Sequence, residues 1–436
     1  MSEAVVIGAG VIGCAVGLEI ERAGGHAIVV DMNGEAGHGS TSASCGIVRR
    51  FYSTKTMTAM AHEGALVWAD WANHLGASPD ELLARFERPG MLFIPPAIDD
   101  TVRGIAAHMK EVGVPVDVLT ADEVRARFPF FDTSSHAPVR DPKDDDFLDE
   151  TARTIAGGVY EPDAGYVVSP QLAACNLRDA GVRAGVEFRL GRRVVAIRRD
   201  DGPKRFRLVL EGGPSREFVD TDVLVNVAGP HSSAIHRLAG VEVQIETRAL
   251  RRETHAIENP AFSEADGSAV PVCGDVDSGI YFRPEAGGRD IIVGSLDPKC
   301  DVLEWVDDPD SFEPVTTGDA FERQVMRLMK RIPDVGLGKR RGVAGMYDVT
   351  PLDWQPVLDR ADEPGYYMAI GTSGSSFKTA PIIGQAMACL IDACEGGRDH
   401  DADPVPFRLP RLDLEISLGF YSRLRGAQAS SGTVLG

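Results

Sequence analysis

Three glycines near the start of the chain carry the clearest chemistry. Gly8-Ala9-Gly10-Val11-Ile12-Gly13 has the spacing of a turn that closes on a pyrophosphate. Gly8 makes the tight turn, Gly10 lets backbone approach phosphate, and Gly13 lets helix and strand pack closely. The flanks supply what such a turn needs. Ala4–Ile7 is short, apolar and β-branched, as a buried parallel strand would be. Val11, Ala15, Leu18 and Arg22-Ala23 recur at helical spacing, and Gly24-Gly25 stop the helix. The start of that helix, at Val11 and Ile12, offers free N–H groups and a positive dipole end to an anion. A second strand, Ala27–Val30, ends on Asp31, whose carboxylate can accept ribose hydroxyls. The motif specifies an adenine dinucleotide and leaves FAD and NAD open.

The rest of the chain must position that site. At 436 residues it is too long for one ordinary core and fits two or three domains. A net charge of −20 disfavours nucleic acid and anionic membranes as partners. Seven scattered cysteines show no zinc spacing and point to a reducing compartment; Cys14, inside the first helix, reads as a small core residue. No apolar run is long enough to span a bilayer. The first strand begins at residue 4, which leaves no room for a signal peptide, so the expected location is the cytoplasm.

Residues 32–54 are rich in glycine and serine and read as loop or a helix start, with Arg49 and Arg50 adjacent. Met57–Leu75 has the period of one amphipathic helix, with Trp68 and Trp71 on its core face. Asp141–Asp146 reads as a solvated acidic loop, and Ser169–Ala184 as a helix. Strands are expected at Phe188–Leu190, Val194–Arg198 and Val223–Val227, the last running into Ala228-Gly229-Pro230. A β-rich stretch covers about 240–335. The end repeats the opening pattern, with strand Tyr366–Ile370, turn Gly371-Thr372-Ser373-Gly374 and helix Ile382–Ala393. Gly426–Gly436 reads as a frayed end. The chain thus opens and closes with strand–turn–helix units around β-rich material. That predicts an α/β (α+β) fold with a discontinuous, Rossmann-like nucleotide domain. Its segments would be 1–88, 153–232 and 340–395. A β-sheet substrate domain would take 89–152 and 233–339, with 396–436 as an extension. A closing unit of this kind favours FAD, whose ring a second part of the chain must reach.

These features, with SASCGIVRRFYS, EPDAGYVVSPQL, VLVNVAGP, SGIYFRP, GMYDVTPLDWQPVLD and IGTSGSSFKTAPIIG, resemble the D-amino-acid-oxidase/sarcosine-oxidase (DAO) family of FAD-dependent oxidoreductases over nearly the whole length. The branch it resembles is that of monomeric sarcosine oxidase and the sarcosine oxidase β subunit. The resemblance implies substrate over the flavin re face, in a domain built on a β-sheet. It also implies loss of a hydride equivalent from the carbon beside an amine. The family's carboxylate-gripping arginine falls on Arg49, its lysine on Lys378 and its pocket tyrosine on Tyr347. Such a planar fork and point charge suit one anion. Cofactor contacts implied are Gly8, Gly10, Val11, Ile12, Gly13, Asp31, Ser40, Thr41, Ser42, Val195, Ala228, Gly229, Gly345, Gly371, Ser373, Gly374, Ser376, Phe377 and Lys378. No metal is implied.

Departures from the family pattern matter. The cysteine tether of sarcosine oxidase is replaced by Gly345 and the histidine tether of dimethylglycine dehydrogenases by Ala43, so FAD is expected to be noncovalent. The lysine that promotes oxygen reduction is Ile292, with Lys299 nearby in sequence; a histidine is Leu296 and a second arginine is Gly46. His38 and His255 read as loop and structural residues, and Asn226 as part of a cofactor-binding strand end. The resulting expectation is oxidation of an amino acid or secondary amine carboxylate. The electron acceptor would be oxygen or another redox partner, and a partner subunit is an open possibility. A 2-hydroxy acid dehydrogenase, or a flavin-carrying subunit of an amine dehydrogenase, remain alternatives.

Overall fold

The computed structural model describes residues 3–149, 151–199, 204–213, 215–262, 270–433 and 435. A six-stranded sheet runs Val357–Arg360, Tyr366–Ile370, Val223–Asn226, Glu3–Ile7, His26–Asp31 and Glu187–Leu190 from edge to edge. Its inner pairs are parallel, and Val357–Arg360 joins antiparallel. Successive side chains point to opposite faces. Ala4, Val6, Ala27, Val29, Val223 and Val225 therefore enter one core, and Val5, Ile7, Ile28, Val30 and Leu224 another. The helix Val11–Arg22 covers the first face, packed between Pro170–Ala184 and Ala380–Glu395. A three-stranded antiparallel sheet, Arg193–Arg199, Phe206–Glu211 and Thr221-ended Glu217–Thr221, contributes to the second core.

A nine-stranded sheet contains the long strand Arg248–Glu258, next to one edge, which pairs with three others. The helix Gly318–Arg331 covers one face through Phe321, Val325 and Leu328 against Leu92, Ile257 and Val293. The opposite face carries Met91, Phe93, Tyr281 and Arg252, and looks toward the site described below.

Several sequence expectations are corrected. The tryptophan helix is two helices, Lys55–Ala69 and Trp71–Leu75, broken at Asp70. The β-rich stretch contains the helix Gly318–Arg331, whose polar face hid among charged residues. Gly158–Glu161 and Gly342–Val349, placed by sequence in the nucleotide segments, pair within the nine-stranded sheet. Local pattern cannot reveal which sheet a strand joins. The final segment is anchored: the Gln428 N–H donates to Asp353 at 3.2 Å, and Leu435 is buried. Residues 434 and 436 of that stretch lie outside the described residues. No described helix is long and apolar enough to cross a membrane.

Candidate active site

The fingerprint turn is built as its glycines require. Gly8 has φ +115°, and a Cβ there would lie 2.4 Å from the Val227 carbonyl oxygen. A Cβ on Gly13 would lie 1.8 Å from the Gly8 oxygen. Gly10 differs, because a Cβ there would meet only Thr41 Oγ1, at 3.3 Å. Neither the fold nor φ demands glycine at that position, which leaves approach by a ligand as its use. The helix that follows has a glycine, Gly10, at its N-cap, which offers no side chain to its N–H groups, and no acid in its first turn. Its positive end is left for an anion. Thr41 Oγ1 accepts the Val11 N–H at 3.1 Å. Asp31 accepts from the Ala9 N–H at 2.6 Å and the Asn33 N–H at 2.7 Å, so its carboxylate also braces the turn. Ser40 and Ser42 stand on the adjoining loop, where Ser42 donates to the His38 carbonyl at 3.0 Å. His38 itself is exposed. Ala228 and Gly229 leave the strand Val223–Asn226; Gly229 has φ +57° and nothing within 4 Å of a Cβ. Asn226 braces that exit through Ser232 and Ala228. Val195 sits at a bulge in Arg193–Arg199.

The second glycine turn is held by a residue the sequence reading missed. Asp348 is buried beside Tyr347 on the strand Gly342–Val349 and accepts the Gly371 N–H at 2.7 Å. Its carbonyl accepts the Ser373 N–H at 2.7 Å. A Cβ on Gly374 would lie 2.4 Å from the Tyr347 ring, so this glycine makes room for the tyrosine. Gly371 carries φ +63° against Thr350, and Ser376 donates to the Thr372 carbonyl at 3.2 Å. Burial pushes the Asp348 carboxyl up to about 7, against hydrogen bonds from Gly371, Thr247 and Ser232. A folded-state pKa above the ordinary 3.8 means the folded protein keeps a proton that the unfolded chain releases. The resulting stability is complete below the unfolded value and is lost as pH rises through about 7. Between pH 5 and 8 the loss from this group is about 2–3 kcal/mol. Asp348→Asn keeps the acceptor without the titration. Denaturant melts at both pH values are expected to show a smaller drop in the variant; equal drops would refute the assignment.

Arg49 and Lys378, far apart in sequence, meet at Tyr52. The Arg49 guanidinium lies 4.2 Å over the Tyr52 ring centroid, and Lys378 Nζ donates to Tyr52 Oη at 2.9 Å. All three are at least nine-tenths buried. Arg49 also donates to the carbonyls of Phe51 and Leu435, and Lys378 to that of Ser375. Burial pushes the Lys378 ammonium below its ordinary value, with Tyr52 opposing and Arg49 adding to the shift. Burial would raise the Tyr52 phenol, but Arg49 and Lys378 outweigh it and hold it low. The helix Lys55–Ala69 fixes Lys378 from behind. Trp68 Nε1 donates to the Lys378 carbonyl at 2.8 Å, and a Cβ on Gly64 would sit 2.3 Å from that oxygen. Phe377 stacks on Trp68 with centroids 5.3 Å apart. Arg50, by contrast, is structural: it pairs with buried Glu161 at 2.9 Å.

Arg49, Lys378, Tyr347, Gly374 and Phe377 line one cavity, closed by Met91, Tyr281 and Leu296. A smaller cavity adjoins Tyr347 and joins Ser40, Ala43 and Gly345 to Arg252. A Cβ on Gly345 would lie 2.6 Å from that of Ala43, so the two positions face each other without a thiol or imidazole. Arg252 pairs with Asp297 and lies 5.6 Å from the Tyr347 ring centroid. Ile292 is on the same strand pair as Arg252, opposite Ala256. Lys299, adjacent in sequence, is exposed and lines neither cavity. His255 is buried under the helix Gly318–Arg331, 2.9 Å from Gln324 Oε1.

A nucleotide turn against a helix N-terminus, in one chain with a buried cation pair that lines a cavity, suits a dinucleotide-dependent oxidoreductase. The comparisons narrow it. The family model described as FAD dependent oxidoreductase (DAO) matches residues 3–390, and the chain belongs to that family. No curated protein sequence matches it. Among solved structures it is similar to L-proline dehydrogenase from P. horikoshii, with TM-score 0.74, 19% identity, and 98% of this chain and 99% of that one covered. Glycine oxidase from Geobacillus kaustophilus gives TM-score 0.69 and 19% identity over 92% and 96% of the two chains. Iminodiacetate oxidase from Chelativorans sp. BNC1 gives 0.66 and 18% over 98% and 100%. The mixed α/β fold and the cofactor, FAD, follow from membership.

Proposed function

We propose that the protein oxidises the CH–NH bond of an amino acid or secondary amine carboxylate to the imine. The observation that carries this reading is the convergence of Arg49 and Lys378 on Tyr52 beside one cavity. A carboxylate there would meet a planar fork and a point charge together. FAD, when bound, accepts the hydride equivalent. The turn Gly8–Gly13, Asp31, the loop Ser40–Ser42, Val195 and Ala228-Gly229 would hold its ADP half and ribityl chain. Gly345, Gly371, Ser373, Gly374, Ser376 and Phe377 would surround the ring end. The open side of Gly10 and a helix start with no acid in its first turn fit a pyrophosphate. With glycine and alanine at both tether positions, the residues present fit noncovalent binding.

The chain's contribution is position. Arg49 and Lys378 fix the carboxylate, and Tyr347 borders the carbon that reacts. Holding that carbon in place makes the transfer an oriented, unimolecular step. Met91, Tyr281, Leu296 and Phe377 keep water away. Among the described residues no histidine lines the cavity, which favours an amine over a 2-hydroxy acid whose O–H proton needs a base. Anaerobic bleaching of the flavin by a panel of amino and hydroxy acids tests the reading. Hydroxy acids bleaching faster than every amino acid would overturn it.

The electron acceptor follows from the charges at hand. Ile292 brings no cation, and the Arg252 charge is spent on Asp297. With Arg49 and Lys378 engaged by the carboxylate, little is left to stabilise a developing oxygen anion. The enzyme is expected to reduce an artificial dye faster than it forms peroxide. Equal turnover with oxygen and dye, both saturating, would count against this.

A further inference from the structure

The cavity bounded by Arg49 and Lys378 is partly filled by the protein itself. The Leu435 carbonyl accepts from Arg49 Nη2 at 2.6 Å. Its side chain is buried with Phe51, Phe93, Tyr281 and Leu296. Gly274 lies beside it without crowding: even a Cβ built there would stand 3.8 Å from Leu435 Cδ2, so this part of the wall leaves room for an isobutyl group. Among the described residues, Arg49 and Lys378 are the charged side chains lining this cavity. The remainder of its wall near Leu435 is neutral: Cys45, Met91, Cys273, Tyr281 and Leu296.

We infer that Leu435 is a resident occupant of the substrate pocket, and that its displacing ligand is a carboxylate with an uncharged chain of about leucine size. The inference rests on the proposed role of Arg49 and Lys378. The Leu435 carbonyl accepts from Arg49, whereas a substrate carboxylate would meet Arg49 and Lys378 together in charge-assisted bonds. The occupant is therefore displaceable, and its attachment to the chain sets the competition through effective concentration. A second charge on the ligand chain would be buried without a partner among the neutral residues of the wall. A ligand with no chain would leave their contacts unmade.

The test uses purified FAD-loaded enzyme in three forms: the full chain, Leu435→Gly, and a chain ending after Gln428. The last keeps the Gln428 contact to Asp353. Each is titrated with 4-methylpentanoate, acetate and succinate, which carry no amine to oxidise, and perturbation of the flavin absorption band is read. The full chain is expected to bind 4-methylpentanoate about tenfold tighter than acetate or succinate. The shortened chain is expected to bind it about fivefold tighter than the full chain, with Leu435→Gly between. Unchanged affinity in both altered forms overturns the inference, as does succinate binding equally well or no perturbation by any carboxylate. The amine-oxidation reading fails separately, if carboxylates shift the band as expected but no amino acid bleaches it.

Discussion

Arg49→Ala is expected to weaken binding of the amino-acid substrate by about ten- to a hundredfold. A charge-assisted hydrogen bond to carboxylate is worth roughly 1.5–3 kcal/mol, and each 1.4 kcal/mol is a factor of ten. Lys378→Ala acts in the same direction. The two losses are not additive, because both cations face one anion and already share Tyr52 at 4.2 Å and 2.9 Å. Tyr52→Phe gives a graded control: it leaves the ring under Arg49 and removes the hydroxyl that orients Lys378, so its effect should be smaller than either. Dissociation constants from anaerobic titration, with bound FAD measured alongside, check the set. FAD content should stay near normal, since no part of the nucleotide turn has been altered. Unchanged affinity in Arg49→Ala would remove the clamp.

Gly10→Ala is expected to cost most of the FAD while sparing the fold. The new methyl would meet only Thr41 Oγ1 at 3.3 Å, so the protein tolerates it after a slight shift. A pyrophosphate drawn to the backbone at Gly10 does not. A loss of FAD affinity of about a hundredfold or more corresponds to roughly 3 kcal/mol. Gly13→Ala is a poorer probe, because its methyl would lie 1.8 Å from the Gly8 oxygen and disturb the turn itself. Far-UV circular dichroism should match the parent for Gly10→Ala, and flavin absorbance should fall. In the parent, acid precipitation should release the yellow colour to the supernatant, as Gly345 and Ala43 offer no tether. Colour retained in the pellet, or full FAD occupancy in Gly10→Ala, would contradict this description of the cofactor site.

What could be read from sequence was set by how local the physics is. The Gly8–Gly13 turn was legible because its strand, helix and acidic terminus lie within a few dozen residues, each with its own period. Arg49 and Lys378 were placed by resemblance, and the fold brings them together through sheets that no local pattern encodes. Tyr52 was invisible, one aromatic in a loop, until its hydroxyl stood between the two cations. Asp348 was equally silent, because a buried carboxyl is marked by its surroundings rather than by its neighbours in the chain. Trp68 was read as core, and it is, but it also carries the Lys378 backbone. The segment after Gly426 misled through composition. Glycine and serine suggest fraying, while the Gln428 N–H on Asp353 and the buried Leu435 side chain tie down the described part of it.

Anaerobic titration of the holoenzyme with leucine, N-methylleucine and their decarboxylated amines tests most directly whether a carboxylate clamp presents an amine-bearing carbon to FAD. At least one acid should bleach the flavin, and its parent amine should need about tenfold or more higher concentration to do so. An amine that bleaches the flavin as readily as its acid would contradict the clamp.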